Sequence, residues 1–534
     1  MNPFHPNRRQ FAKALGTAAL LRHSGQGASA EPVSVDVGRQ LLVDDFLIAE
    51  TSLRRKFHKP RIHEASPVLS PTTPLEMNGG YCPVACPFQD GVFFDPKDQL
   101  YKIWYHAGWF EGTAYAYSED GITWTRPNLD IVPGTNQILP RRDPFQRDGA
   151  GVWLDQATDN PRERFKLFVY FRERQADLFH YGELYNGPTV SQGGTVFTSP
   201  DGIHWAERSA TGPCGDNTNF FYNPFRKTWF YSIRTTNKRG RIRSYRECAD
   251  FVRGAKWTQS DVKFLASADD EDPPDPILGY ETQLYNLDAV AYENMMLGVF
   301  GIFEGPPNEI SEKTGIPKIT ELMLGFSRDG LHWIRPDRTP FLAPSRKPGT
   351  WNRGYLHSAG GVCLVCGDEL RFYFGAFSGI SPRLGLHMYA GGSTGLAILR
   401  RDGFASMDAG PEPASLTTVP VRFTGTHLFV NVEAQNGEVT AEVLGTNGNP
   451  IDALTRQNCL SIRSDSTCQQ MAWRGVNDLA HLKGRPVSLR FHLRNANLYS
   501  FWVSQSASGA SQGYVAAGGP GFSGPTDTVG RNRR

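Results

Sequence analysis

Along most of the chain, apolar residues fall in short alternating or continuous runs bounded by Asp, Asn, Pro, Gly and Lys. That pattern is the mark of strands and tight turns. "GVFFDPKDQLYKIWYHAG" (91–108) reads as an apolar strand, a turn and an aromatic-rich strand. "GVWLDQATDNPRERFKLFVYFRE" (151–173) and "NFFYNPFRKTWFYSIRT" (219–235) repeat the order. A hairpin signature follows the first two, "YSEDGITW" (117–124) and "TSPDGIHW" (198–205), and returns as "FSRDGLHW" (326–333). The 219–235 stretch leads instead to a degenerate version, "ECADFVRGAKW" (247–257). Asp-Gly between apolar runs is a tight-turn signal, because glycine accepts positive φ at little cost.

In this reading the Ser and Asp side chains bond the turn backbone and the Trp packs over the hairpin. The motif is then a fastener on a repeated four-stranded sheet rather than a ligand site. Periodic aromatic motifs of this kind mark β-propeller blades. Five units are predicted, over 88–128, 148–208, 216–260, 281–336 and 353–408. The fold expected is all-β: a five-bladed β-propeller over 31–410 followed by a C-terminal β-sandwich. "VGRQLLVDDFLIAE" (37–50) is expected to close the ring by adding a strand to the last blade, which removes exposed sheet edges. After Ala409 the texture changes. "VPVRFTGTHLFVNVEAQNGEVTAEVLG" and "GRPVSLRFHLRNANLYSFWVS" alternate with period two and predict the sandwich over 415–506. The Gly-, Ser- and Arg-rich stretch from Ala507 to 534 reads as a disordered tail.

Charge is nearly balanced, at +2, so the basic excess of a nucleic-acid binder is missing. No apolar run approaches the ~18 residues of a membrane span. The N-terminus places Arg8-Arg9, Phe11 and Lys13 before a mild apolar stretch, Ala14 to Leu21, and the A-x-A pattern Ala28-Ser29-Ala30. Together these resemble a twin-arginine export signal over 1–30 and predict a periplasmic or extracellular protein beginning near Glu31; the alternative is a basic tail. Of eight cysteines, Cys363 and Cys366 have C-x-x-C spacing inside a strand-like run, where positions three apart face opposite ways. Buried thiols are expected there rather than a metal or redox site. Cys82 with Cys86, and Cys459 with Cys468, are candidate disulfides.

A propeller followed by a sandwich resembles glycoside hydrolase family 32 and the exported bacterial proteins related to its N-terminal domain. The resemblance is carried by "LLVDDFLI", "RDGAGVWLD", "DPPDPILGYETQLYN", "GFSRDGLHWIRP", "GTWNRGYLHSAGG" and "GLAILRRDGFASMDAG", and covers roughly 38–505. It implies a funnel at the propeller axis where carboxylates near the starts of the innermost strands cleave glycosidic bonds. Such cleavage takes one carboxyl to protonate the leaving oxygen and a second as nucleophile or base.

The acids standing before each unit's first strand are therefore the candidates: Asp90, Asp148, Asp216 and Glu281. Asp90 resembles the family's nucleophile position, offset toward its Asn, and reads equally as a turn residue. Arg147-Asp148 resembles the family's Arg-Asp-Pro, whose Asp binds sugar hydroxyls; "RRDP" (141–144) is a literal match further from the strand. One of the four acids is expected to have a raised pKa and serve as the acid, and Asp148, beside Arg147, to stay ionised. Glu247-Cys248 resembles the family's acid, but its repeat register puts it at an outer hairpin. Candidate substrate-binding residues are Arg147, Trp104, Arg353 and His357. No metal site is expected and no cofactor, with an axial Ca²⁺ left open. The partner expected is a carbohydrate substrate. The sequence supports an exported glycoside hydrolase-like protein; the alternatives are a non-catalytic carbohydrate-binding propeller and a protein-binding scaffold.

Overall fold

The computed structural model describes residues 31–140, 142, 145–173 and 190–532. The export signal over 1–30 and most of the "RRDP" stretch lie outside the described residues. The described chain is mostly strand. Each repeat unit begins with one strand: β1 (Val84–Asp95), β2 (Phe145–Leu154), β3 (Asn219–Asn223), β4 (Gln283–Glu293) and β5 (Gly354–Ser358). From β2 and β3 four-stranded antiparallel sheets run outward strand by strand, while strands of the first and fifth units join in one nine-stranded sheet through a parallel pairing of Gly392–Ser393 with Val84–Ala85. The second unit runs from β2 through Phe165–Glu173 and Val190–Ser199 to Ala206–Ala210. The third runs from β3 through Thr228–Asn237 and Gly240–Cys248 to Lys263–Ala266. Every residue of β1 is buried, so its continuous apolar run is covered on both faces, as its sequence requires.

The hairpin motif acts as the fastener its sequence suggests. In the first copy Ser118 Oγ accepts from Gly121 N at 2.8 Å, and Asp120 Oδ1 accepts from Ile122 N and Thr123 N at 2.7 and 2.8 Å. Asp201 and Asp329 repeat this at 2.8–2.9 Å. Gly121, Gly202 and Gly330 take φ of 74°, 82° and 77°. The structure adds that each turn also docks on a neighbouring unit. Trp104 Nε1 donates to Gly202 O at 2.7 Å, Tyr373 donates to Gly121 O at 2.6 Å, and Asn223 Nδ2 donates to Asp329 O at 2.7 Å. The degenerate copy instead uses Asp250 to cap the short helix Phe251–Gly254.

Residues 37–50 do not pair with the last unit as expected. The strand added outside Gly392–Arg400 is Arg61–Ile62, paired with Ile398 and Ala397. Residues 37–50 leave for a second module, where Gln40–Leu41 pairs with Ser500 and Phe501, and Ile48–Thr51 pairs with Leu416–Thr418. The reason is their two-sided apolarity. Leu41 and Val43 pack into the core of the repeat units, while Leu42 and Leu47 pack into a second core with Val430, Leu489 and Phe501.

The tail is also corrected. Residues 507–532 are held in place rather than disordered: Tyr514–Val515 pairs with Glu293 and Tyr292 of β4, and Phe94 N and Val365 N donate to Ala517 O and Gly518 O. Its small residues suit this, since a Cβ on Gly519 would lie 1.8 Å from Val365 O. All eight cysteines are free, so neither candidate disulfide forms, and Cys363 is a buried thiol.

Candidate functional site

The strands β1 to β5 meet around a core of polar side chains. A bulge in β1 between Cys86 and Gly91 re-aims its side chains, with Gln89 at φ 72°. Asp90 is thereby turned inward, fully buried, where it accepts from Phe88 N at 2.8 Å. Arg147 of β2 grips both its oxygens, at 2.7 and 3.3 Å. The same guanidinium donates to the Asp148 carbonyl at 3.0 and 2.9 Å, so Arg147 serves the Asp148 backbone and the Asp90 carboxylate. The Asp148 carboxylate pairs instead with Arg172, which also bonds Asp216. Arg234 Nε lies 3.4 Å from the other Asp216 oxygen.

A second knot joins β3, β4 and β5. Asp288 of β4 accepts from Asn219, from Asn286 at 2.7 Å and from the Ser358 hydroxyl. Gln89 Nε2 donates to Asn217 Oδ1 at 3.0 Å and Arg243 Nη1 to Asn217 O at 2.7 Å. His357 is buried against Phe88, 4.0 Å between ring centroids, and Tyr355. Gln89, Asn217 and Tyr355 hold φ of 72°, 57° and 53°. Non-glycine residues are rarely kept there, and such strain gathers at functional sites.

The electrostatics divide the acids. Burial pushes the Asp90 carboxyl up, against Arg147. Burial likewise carries Asp288 up to about 6, against its hydrogen bonds from Ser358 and Asn286. For Asp216 burial is outweighed by Arg172, Arg234, Arg241 and Lys318, which hold it at about 2. Burial drives His106 and His357 well below their usual range. Beside the start of β4, Glu304 rises to about 7 through burial and then through its neighbour Glu321. Both contact Arg346.

The structure therefore brings together Asp90, Arg147, Asp148 and Asp216, with His357 adjoining. It does not bring in three others. Glu281 is exposed ahead of β4, and the carboxylate that β4 supplies is Asp288. Trp104 is fully buried among Phe93, Tyr115 and Phe165. Arg353 is half-buried in the turn before β5, where its carbonyl accepts from Arg346 N. Glu247 sits at an outer strand end, bonded by Arg226 at 2.7 and 3.0 Å. Sequence reasoning missed Asp288, Arg172 and Lys318. The first had a signal, a lone acid inside the buried run "QLYNLDAVAY". Gln89 Oε1, Asn219 Oδ1 and Asn286 Oδ1 are buried without a hydrogen-bond partner; they fit water or a hard cation equally.

No family profile matches the chain, and no curated protein matches it. Solved structures do. An exo-β-1,3-galactanase from Phanerochaete chrysosporium, with galactose, is 11% identical over 78% of this chain and 96% of its own, at a TM-score of 0.35. A β-1,2-mannobiose phosphorylase from Listeria innocua is 12% identical over 64% and 97%, at 0.39. A thermostable family-43 glycoside hydrolase is 11% identical over 58% and 89%, at 0.36. Likeness at this level carries no argument about chemistry, which rests on the residues themselves.

Proposed function

We propose that the chain is a five-bladed β-propeller with a C-terminal β-sandwich that acts on glycosidic bonds of poly- or oligosaccharides at the ring of β1–β5. One observation carries this reading: Asp90, Asp148, Asp216 and Asp288, from four successive units, converge on one arginine-laced centre. Glycoside cleavage needs one carboxyl kept protonated and another kept ionised, and pairs whose surroundings push their pKa values apart assign those roles. Asp216 is held ionised, and Asp90 and Asp288 are held up. In this mechanism Asp90 or Asp288 protonates the leaving oxygen as the glycosidic bond breaks, the ionised Asp216 takes a proton from the water that adds to the anomeric carbon, and Asp148 binds sugar hydroxyls and steadies the positive charge developing on the ring. The family would be a relative of glycoside hydrolase families 32 and 43, exported by the twin-arginine route. The test is release of reducing sugar from a panel of plant, algal and microbial polysaccharides by wild type and Asp148→Asn. The reading expects release by wild type and a loss of about a hundredfold or more in the folded variant. Unchanged turnover removes Asp148 from the mechanism.

A second reading, a carbohydrate-binding propeller without catalysis, is favoured by one feature. Asp90 is already gripped by Arg147, and Asp148 and Asp216 share Arg172, so each carboxylate is committed to a cation. Saturable glycan binding with no release from any polysaccharide would select it.

A further inference from the structure

Two cations at the ring meet acids only at a distance: Asp216 acts on both, and Glu312 on Lys318. Lys318 is 2% exposed. Its ammonium lies 4.9 Å from the ring centroid of Tyr355, 5.5 Å from that of Tyr389 and 5.6 Å from that of Tyr285. Its nearest polar partners are the Tyr355 and Tyr389 hydroxyls, each 3.5 Å away. Arg241 lies against the same aromatic group, 5.2 Å from the centroids of both Tyr285 and Phe303. It donates to Gln283 Oε1 at 2.8 Å, and its Nε is buried without a partner. Among the described residues neither cation is ion-paired to a carboxylate. Aromatic faces do attract cations. Yet a buried ammonium is costly to desolvate without a counter-charge, and Arg241 repels it. Next to them Arg172 and Arg234 meet Asp216, so the four cations face Asp148, Asp216 and Glu312.

We propose that the sugar taken at this site carries an anionic oxygen group, a carboxylate or a sulfate ester, received between Arg241 and Lys318. This deepens the carbohydrate reading above and rests on it. An anion there supplies a direct counter-charge. The guanidinium offers paired donors suited to a planar or tetrahedral oxyanion, and the Tyr285 and Tyr355 hydroxyls, bonded to each other at 2.8 Å, have one proton left to donate. A neutral sugar would leave both cations without a direct ion pair.

The test is calorimetric titration of the full chain, and of Arg241→Gln and Lys318→Met, with three kinds of probe. These are oligogalacturonates and sulfated galactan oligosaccharides, their carboxyl-reduced and desulfated counterparts, and inorganic phosphate. Arg241 is half-buried, so its variant tests the site even if Lys318→Met fails to fold. We expect the charged sugars to bind about tenfold or more tighter than their neutral counterparts, the preference to vanish in Arg241→Gln, and the affinity to fall with added salt. Equal binding of neutral and charged sugars, or a preference untouched by Arg241→Gln, overturns the inference and leaves the carbohydrate reading standing. Phosphate binding that depends on Arg241, with no sugar bound, overturns the sugar as the source of the anion and the carbohydrate reading with it. No binding by wild type of any charged probe overturns the anion site.

Discussion

Asp201 shows how much one side chain does in the repeat. It accepts from Ile203 N and His204 N within its own turn, and that turn receives Trp104 of the neighbouring sheet. Asp201→Ala is expected to cost about 1–2 kcal/mol, read by denaturant unfolding. Gly202→Ala is expected to cost about 1–3 kcal/mol, because φ is 82° and a Cβ would lie 2.6 Å from the Trp104 ring. Burial would raise Asp120, Asp201 and Asp329, but backbone hydrogen bonds hold each at about 2, joined for Asp201 and Asp329 by the His204 and His332 rings and then by the Ser hydroxyls. An unfolded aspartate titrates near 4, at about 3.9. These depressed groups therefore stabilise the fold above about pH 4 and lose that contribution as pH falls toward 2. Urea midpoints between pH 5 and pH 2.5 check this, and the triple Asp→Asn variant should flatten the decline. The turn chemistry was legible because Ser-x-Asp-Gly writes its own hydrogen bonds. The docking partners were not, because a carbonyl accepting from a distant Trp leaves no mark in sequence.

Among the elements, strands were read correctly wherever alternation or aromatic runs were strong, and misplacements follow from geometry. β4 carries a bulge between Leu284 and Asn286, which shifts the side-chain register and puts Asp288, rather than the preceding Glu281, into the polar centre. Asp90, Asp148 and Asp216 were legible because each stands on or just ahead of a unit's first strand. The strand Arg61–Ile62 was not, since two residues show no period. The tail misled by composition. Its glycines are there because backbone passes close by, and Asp527 ends in an ion pair with Arg401 at 2.9 Å. Truncation after Ser511 removes that pair and the bonds to Phe94 and Val365. It is expected to lower the melting temperature by several degrees or more; an unchanged melt would show the tail to be dispensable.

On the scale of the whole molecule, a fully buried ionic network ties the parts together. Arg39 bonds Asp402 at 2.9 Å, and Arg401 bonds Glu293 at 3.0 Å and Asp527 at 2.9 Å. Tyr292, Ser500 and Ser511 complete it. It links the segment entering the second module, the fourth unit, the exit from the fifth and the tail. Arg401→Met would leave Glu293 and Asp527 buried without their shared cation, and is expected to cost about 3–5 kcal/mol in unfolding. Adding a reductant should not shift the melt, because all eight cysteines are free.

The central claim is that a sugar meets this protein where β1 to β5 converge. Its most direct test is a crystal structure with the best-bound oligosaccharide from the panel. The account predicts a sugar ring within hydrogen-bond distance of Asp148 and Asp216 and beside Tyr285. The molecule also holds a cavity of about 330 Å³ at the far ends of β1 to β4, lined by Trp153, Tyr222, Tyr514 and Pro525. Sugar found there, or on the second module, with the carboxylate centre untouched, would contradict the account.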